Sequence, residues 1–210
     1  MKIITGSGRS GTSFVAKIID KLSPFQGEYL WEEEVRAGME TKEIVDANKM
    51  LFSINGKEVP YATNWITGKE VEKAISDAGS IIRAIGERYQ GQWVKDPLFS
   101  KTLQIWLDAK APISRVIICT RDPHKSAQSA RETNRGFEPV LAYPREVVEA
   151  EMHARQGYLW DTILRFGISY DVVRYEHMQK DLLVVLKKEF PEHDPDALNK
   201  LIIDEWNPKI

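Results

Sequence analysis

The chain has 210 residues, 42% of them hydrophobic and 29% charged, a length and balance that give one globular domain with a real core and exclude disorder as its main state. Lys plus Arg number 29 against 31 Asp plus Glu, a formal net charge of −2, so no global positive field points to nucleic acid or to an anionic membrane surface. Any anion site must be local. The single cysteine, Cys119, excludes an internal disulfide framework and a cysteine-rich metal knuckle, suits a reducing, cytoplasmic setting, and lies in an apolar run as expected of a buried thiol. No stretch has the roughly 20 apolar residues needed to span a bilayer, and Met1-Lys2 runs into Ile3-Ile4 without the pattern of a signal peptide. His124, His153, His177 and His193 are scattered, with no pair at the i, i+4 spacing of helical metal ligands.

In chain order, short β-rich runs alternate with longer helical patterns. Strands are predicted over Ile3–Thr5, Gln92–Lys95, Val116–Thr120 and Asp171–Tyr175. Helices are predicted to follow them over Thr12–Leu22, Ser100–Ala109, His124–Thr133 and Met178–Phe190. Two further helical stretches run from about Val71 to Tyr89 and from Arg145 to Phe166, and a terminal helix over Pro195–Trp206 has Asp194 as its cap. This alternation predicts an α/β fold with a parallel sheet between helices, and the continuously apolar run Val116–Cys119 fits a strand covered on both faces. There is no repeat, low-complexity run or Gly/Ser linker, so residues 1–210 are read as a single domain.

The segment Thr5-Gly6-Ser7-Gly8-Arg9-Ser10-Gly11-Thr12-Ser13 lies between the first strand and the first helix. Glycines there let successive amides converge on a phosphate at the positive end of the helix. Gly6, Gly11 and Ser13 have the spacing of the triphosphate-binding loop, but Thr12 stands where its lysine belongs and the loop's cation is Arg9. A triphosphate site would lack its main charge contact, whereas a single 5′-phosphate on amides and hydroxyls would lose nothing.

Gly8-Arg9-Ser10-Gly11-Thr12-Ser13 resembles the 5′-phosphosulfate loop of the sulfotransferases that use 3′-phosphoadenosine 5′-phosphosulfate (PAPS), P-[KR]-S-G-T-[ST], with Gly8 in place of the proline. Three later segments extend the resemblance. The strand Val116–Thr120 runs into Arg121-Asp122-Pro123, with Ser129 eight residues after Arg121, similar to the family's 3′-phosphate site. Trp93-Val94-Lys95-Asp96-Pro97 is similar to the strand whose lysine reaches the bridging and sulfuryl oxygens, and Val173-Arg174-Tyr175-Glu176 to a late strand that places Tyr175 near the adenine or the sheet end. The resemblance implies a three-layer sandwich of P-loop type with a central parallel sheet. It also implies sulfuryl transfer from PAPS to a hydroxyl or amine acceptor by in-line displacement, without a metal and with release of PAP (3′,5′-bisphosphate of adenosine). Cofactor binding is then expected from Gly8, Arg9, Ser10, Gly11, Thr12, Ser13, Arg121, Ser129 and Tyr175, and charge stabilisation from Arg9 and Lys95.

The family's cytosolic branch has a histidine base two residues after the lysine, and that position here is Pro97. Other branches, among them tyrosylprotein, carbohydrate and some bacterial enzymes, take a glutamate after the first helix. In Gln26–Val35, Glu28 is the first candidate and Glu33 the second, although the run Glu32–Glu34 also fits a solvated helix start. Tyr29, Trp31, Tyr61 and Trp65, with the loop Asn134–Pro139, are candidates for an acceptor pocket that takes a small molecule, a carbohydrate or a lipid. Two other classes remain open on sequence: a P-loop nucleoside or small-molecule kinase with an atypical loop, and a non-catalytic PAP- or nucleotide-binding protein.

Overall fold

The computed structural model describes residues 1–32, 37–57, 64–132 and 143–206. From the N-terminus, β1 (Lys2–Gly6) leads into α1 (Thr12–Leu22). An antiparallel pair β2 (Tyr29–Glu32) and β3 (Ala37–Thr41) follows, then α2 (Lys42–Ile54) and α3 (Lys69–Arg88). Next come β4 (Trp93–Lys95), α4 (Phe99–Asp108), β5 (Arg115–Thr120), α5 (Pro123–Glu132), α6 (Arg145–Phe166), β6 (Tyr170–Arg174), a 3₁₀ turn Tyr175–His177, α7 (Met178–Glu189) and α8 (Pro195–Glu205).

β4, β1, β5 and β6 form a parallel sheet in that spatial order. Side chains alternate across it with the pleat. Ile3, Val94, Val116 and Ile118 face a layer built from α2, α3, α4 and α6, which contributes Leu51, Phe52, Ile82, Leu103, Trp106 and Leu159. Ile4, Trp93, Ile117, Cys119 and Val173 face α1, α7 and α8 through Ile18, Ile19, Leu182, Leu186 and Ile202. Three layers result, with both sheet faces dry, as the unbroken apolar run in β5 requires. At a local level Asp194 caps α8, its carboxylate accepting from the Ala197 amide at 3.0 Å, and Pro123 opens α5.

The strand order determines where a ligand can sit. After β1 the chain builds the strand on one side of it, β4, and then crosses to the other side to build β5 and β6. Between β1 and β5 the connections therefore diverge at the carboxyl ends of the strands, the crevice in which open α/β sheets bind ligands.

Two differences from the sequence expectation bear on that crevice. The β2–β3 hairpin and α2 occupy a stretch for which neither was predicted, and Glu32 ends a strand rather than starting a helix. Tyr175, expected at the end of a strand, falls in the 3₁₀ turn after β6. Among the described residues no helix is long and apolar enough to cross a membrane.

Candidate functional site

The loop after β1 turns through left-handed backbone three times, with φ of +80° at Gly8, +51° at Arg9 and +88° at Gly11. Gly11 is held as glycine by its backbone, and the space around it is tight as well. Its φ is costly for any L side chain, and an added Cβ would lie 2.3 Å from Met178 Cε and 3.2 Å from the Tyr175 ring. Arg9 is a non-glycine residue in the same region, a conformation that persists only where neighbours over-determine it. They do so here. Arg121 donates through Nη1 to the Arg9 carbonyl at 3.2 Å, Arg9 Nε donates to Ser129 Oγ at 3.4 Å, and Gln156 on α6 donates from Nε2 to both Ser7 Oγ at 3.3 Å and the Arg121 carbonyl at 2.9 Å.

The residues expected to bind the nucleotide are thus brought together. Loop residues 7–11 follow β1, Arg121 follows β5 and Ser129 faces them from α5. Tyr175 after β6 carries the Arg121 guanidinium on its ring, 4.1 Å from the centroid. Among the described residues eight buried side-chain atoms have no hydrogen-bond partner, and two of them, Arg121 Nε and the Ser10 hydroxyl, belong to this cluster. Leaving such groups unmet costs on the order of 1–3 kcal/mol each. Gln156, which ties the β1 loop to the β5 loop, was not singled out in the sequence. A polar residue in the middle of a long helical pattern carries no local signal.

Lys95, at the end of β4, is on the other side of β1. Its side chain is buried and forms an ion pair with Glu40 of β3, while Nζ also donates to the Gly38 carbonyl at 2.8 Å and to Ser13 Oγ at 3.4 Å. Ser13 in turn accepts from the Gly38 amide at 3.3 Å, so it connects the first turn of α1 to both the hairpin and Lys95. Thr12 is buried beside it.

Glu28, the first candidate for a base, lies in solvent, with its carboxylate paired to Lys42 Nζ at 3.0 Å. That hydrogen bond raises the Lys42 pKa. The carboxylate that meets Lys95 is Glu40. Glu33 lies outside the described residues, as do Tyr61 and Asn134–Pro139. Tyr29 is exposed at the start of β2, whereas Trp65 donates its indole N–H to Glu151 at 3.1 Å and packs on Tyr158, within a buried cluster with Lys101 and Arg155.

Behind Lys95 lies a fully buried carboxyl, Asp96. Burial is the main cause of its pKa rising to about 6, opposed by hydrogen bonds from the Leu98 amide and Asn48; Glu40 adds to the rise and Lys95 counters it. Cys119 on β5 is buried and free, its thiol pushed up to about 12 by burial, which makes it an inert core group. Among the described residues no group of three or more His, Cys, Asp or Glu side chains is arranged to hold a metal ion. No model of a known protein family matches the chain, and no curated protein matches it.

Proposed function

We propose that the chain is a PAPS-dependent sulfotransferase. The observation that carries this reading is the convergence of Arg9, Arg121, Ser129 and Tyr175 on one loop at the β1/β5 crevice, with the Lys95–Glu40 pair joined to the same loop through Ser13. Three features support the donor side. Arg121 and Ser129 offer charged and hydroxyl donors to a 3′-phosphate, the amides and hydroxyls of Ser10 to Ser13 serve the 5′-phosphosulfate at the α1 N-terminus, and Tyr175 offers an aromatic face to the base.

In the reaction the acceptor oxygen attacks sulfur, the bond from sulfur to the bridging oxygen breaks, and PAP leaves with that electron pair. Charge grows on the bridging and sulfuryl oxygens, and Arg9 and Lys95 are the cations that would meet it. The acceptor proton goes to Glu40. In the unliganded site Lys95 and Glu40 neutralise one another; a phosphosulfate drawing the Lys95 ammonium frees the carboxylate to act as a base.

Calorimetric titration with PAP and with ATP, each with and without Mg²⁺, on the parent chain and on Arg121→Ala tests the assignment. PAP binding independent of Mg²⁺ and weakened roughly ten- to hundredfold in the variant is expected, the loss of a charged hydrogen-bond donor. ATP binding that needs Mg²⁺, without preference for PAP, would place the chain among kinases instead. PAP binding without turnover of PAPS over a panel of hydroxyl acceptors would make it a binding protein.

A further inference from the structure

Glu40 and Lys95 are far apart in the chain and must be held within contact of one another. β3 runs directly into α2, so the orientation of α2 sets that of Glu40, and Lys95 runs directly into Asp96, Pro97 and α4. Between α2 and α4 lies one buried amide, Asn48. Its Nδ2 donates to Asp96 Oδ2 at 2.7 Å, and its Oδ1 receives the Trp106 indole N–H at 2.8 Å and the Thr102 hydroxyl at 2.7 Å. The other Asp96 oxygen accepts from the Leu98 amide at 3.0 Å. All four side chains, those of Asn48, Asp96, Thr102 and Trp106, are fully buried.

This arrangement specifies asparagine chemically. An indole nitrogen can only donate and an ionised carboxylate can only accept, so the amide is held in one orientation and a flip would set donor against donor and acceptor against acceptor. Aspartate at 48 would bring two carboxylates together in a dry site. An apolar residue would strand Asp96 Oδ2 and the Trp106 indole N–H, at the cost that attaches to buried unmet groups. Stability alone would be served as well by an apolar contact between two helices. What the polar contact adds is direction, because it fixes the residue next to Lys95 to the helix that follows Glu40.

We infer that Asn48 is a positioning residue, which acts through Asp96 to hold Lys95 in register with Glu40; the inference rests on the sulfotransferase reading only for what that pair does. The exchange Asn48→Asp/Asp96→Asn is the critical variant. A carboxylate at 48 can accept from Trp106, Thr102 and an amide at 96, whose oxygen can still accept from Leu98, so every hydrogen bond is restored and only the one between 48 and 96 has its direction reversed.

The experiment is trace acetylation with acetic anhydride, read by mass spectrometry at Lys95, at the buried Lys101 and at the exposed Lys200, on the parent, on Asn48→Asp and on the exchange. Lys95 in the parent is expected to react at least about tenfold more slowly than Lys200, a gap that single-site Asn48→Asp narrows by about fivefold or more with Lys101 unchanged, and that the exchange restores. Where PAPS turnover is found, kcat falls in Asn48→Asp with PAP affinity kept, and recovers to within about fivefold in the exchange. Unchanged Lys95 reactivity, a joint rise of Lys95 and Lys101, or a folded exchange variant with reactive Lys95 overturns the inference. If Asn48→Asp does not fold, the exchange decides alone. The footprint needs no substrate, so it reads the positioning role even if PAPS proves not to be the donor.

Discussion

Gly8 stands where the sulfotransferase loop pattern has proline, and its φ of +80° is one that proline, fixed near −65°, never reaches. Around it there is room, since the nearest atom to an added Cβ is Met152 Cε at 3.9 Å. Any penalty at this position therefore comes from the backbone alone. For Gly8→Ala the left-handed conformation costs about 1–2 kcal/mol, which in a chain of this size lowers the melting temperature by about 2–8 °C. Gly8→Pro cannot keep the turn at all. The flanks are fixed by the Gln156–Ser7, Arg121–Arg9 and Arg9–Ser129 hydrogen bonds, and rebuilding the loop sacrifices those at about 1 kcal/mol apiece, roughly 3 kcal/mol together. Thermal and urea unfolding read the stability, and PAP titration reads the site, where Gly8→Ala is expected to stay within about threefold and Gly8→Pro to lose more than about tenfold. A Gly8→Pro protein as stable as the parent and binding PAP as tightly would refute the reasoning, for it would mean that the loop accepts the backbone of the family pattern.

Glu40→Gln should lower kcat by about 10²- to 10⁴-fold, the usual worth of a base, with PAP affinity unchanged; Glu28→Gln, at a solvent-exposed carboxylate paired with Lys42, should stay within about twofold, and the reverse ranking in a sulfate-transfer assay would transfer the base role to Glu28. Asp96 has a raised pKa, so its contribution to stability is fully present below its unfolded value of about 4 and is lost as pH rises through about 6, by about 3 kcal/mol in total. Urea unfolding of the parent and of Asp96→Asn between pH 4 and 7.5 should show the difference between them moving against the parent as pH rises; a flat difference refutes the buried, hard-to-ionise carboxyl. Asp181, held low by the Arg174 guanidinium, acts in the opposite sense, gaining stability as pH rises, and is common to both proteins.

The parallel sheet was legible because each of its strands is a compact β-rich run followed by a periodic helix, so β1, β4, β5 and β6 and the helices after them are found within a residue or two of their expected limits. The hairpin was not. β2 and β3 shift register between Leu30 and Trp31, and Gly38 and Met39 both have positive φ, so the alternation that marks a strand is broken. Glu40 was missed for that reason, along with its contact to Lys95, which pairs β3 with β4 across 55 positions. α2 did carry a stripe, Ile44, Val45, Leu51 and Phe52, but Asn48 interrupts it, and a buried polar residue in an apolar stripe reads as a break until its partners on α4 are known. That Arg121, Ser129 and Arg9 lie together was legible because strand ends and short spacings survive in one dimension.

The loops after β1 and β5 each carry one cation, Arg9 and Arg121, and β4 ends on a third, Lys95; no continuous stretch of chain holds more than one of them. An unfolded chain therefore presents no fragment able to hold a bisphosphate, and whatever bridges these loops binds the native state alone. By linkage, such a ligand at a hundred times its Kd adds about 2.7 kcal/mol to the unfolding free energy, enough to raise the melting temperature by several degrees. The molecule's own thermal stability thus reports occupancy of the crevice, and acceptors can be sought by the further rise they give once PAP is bound.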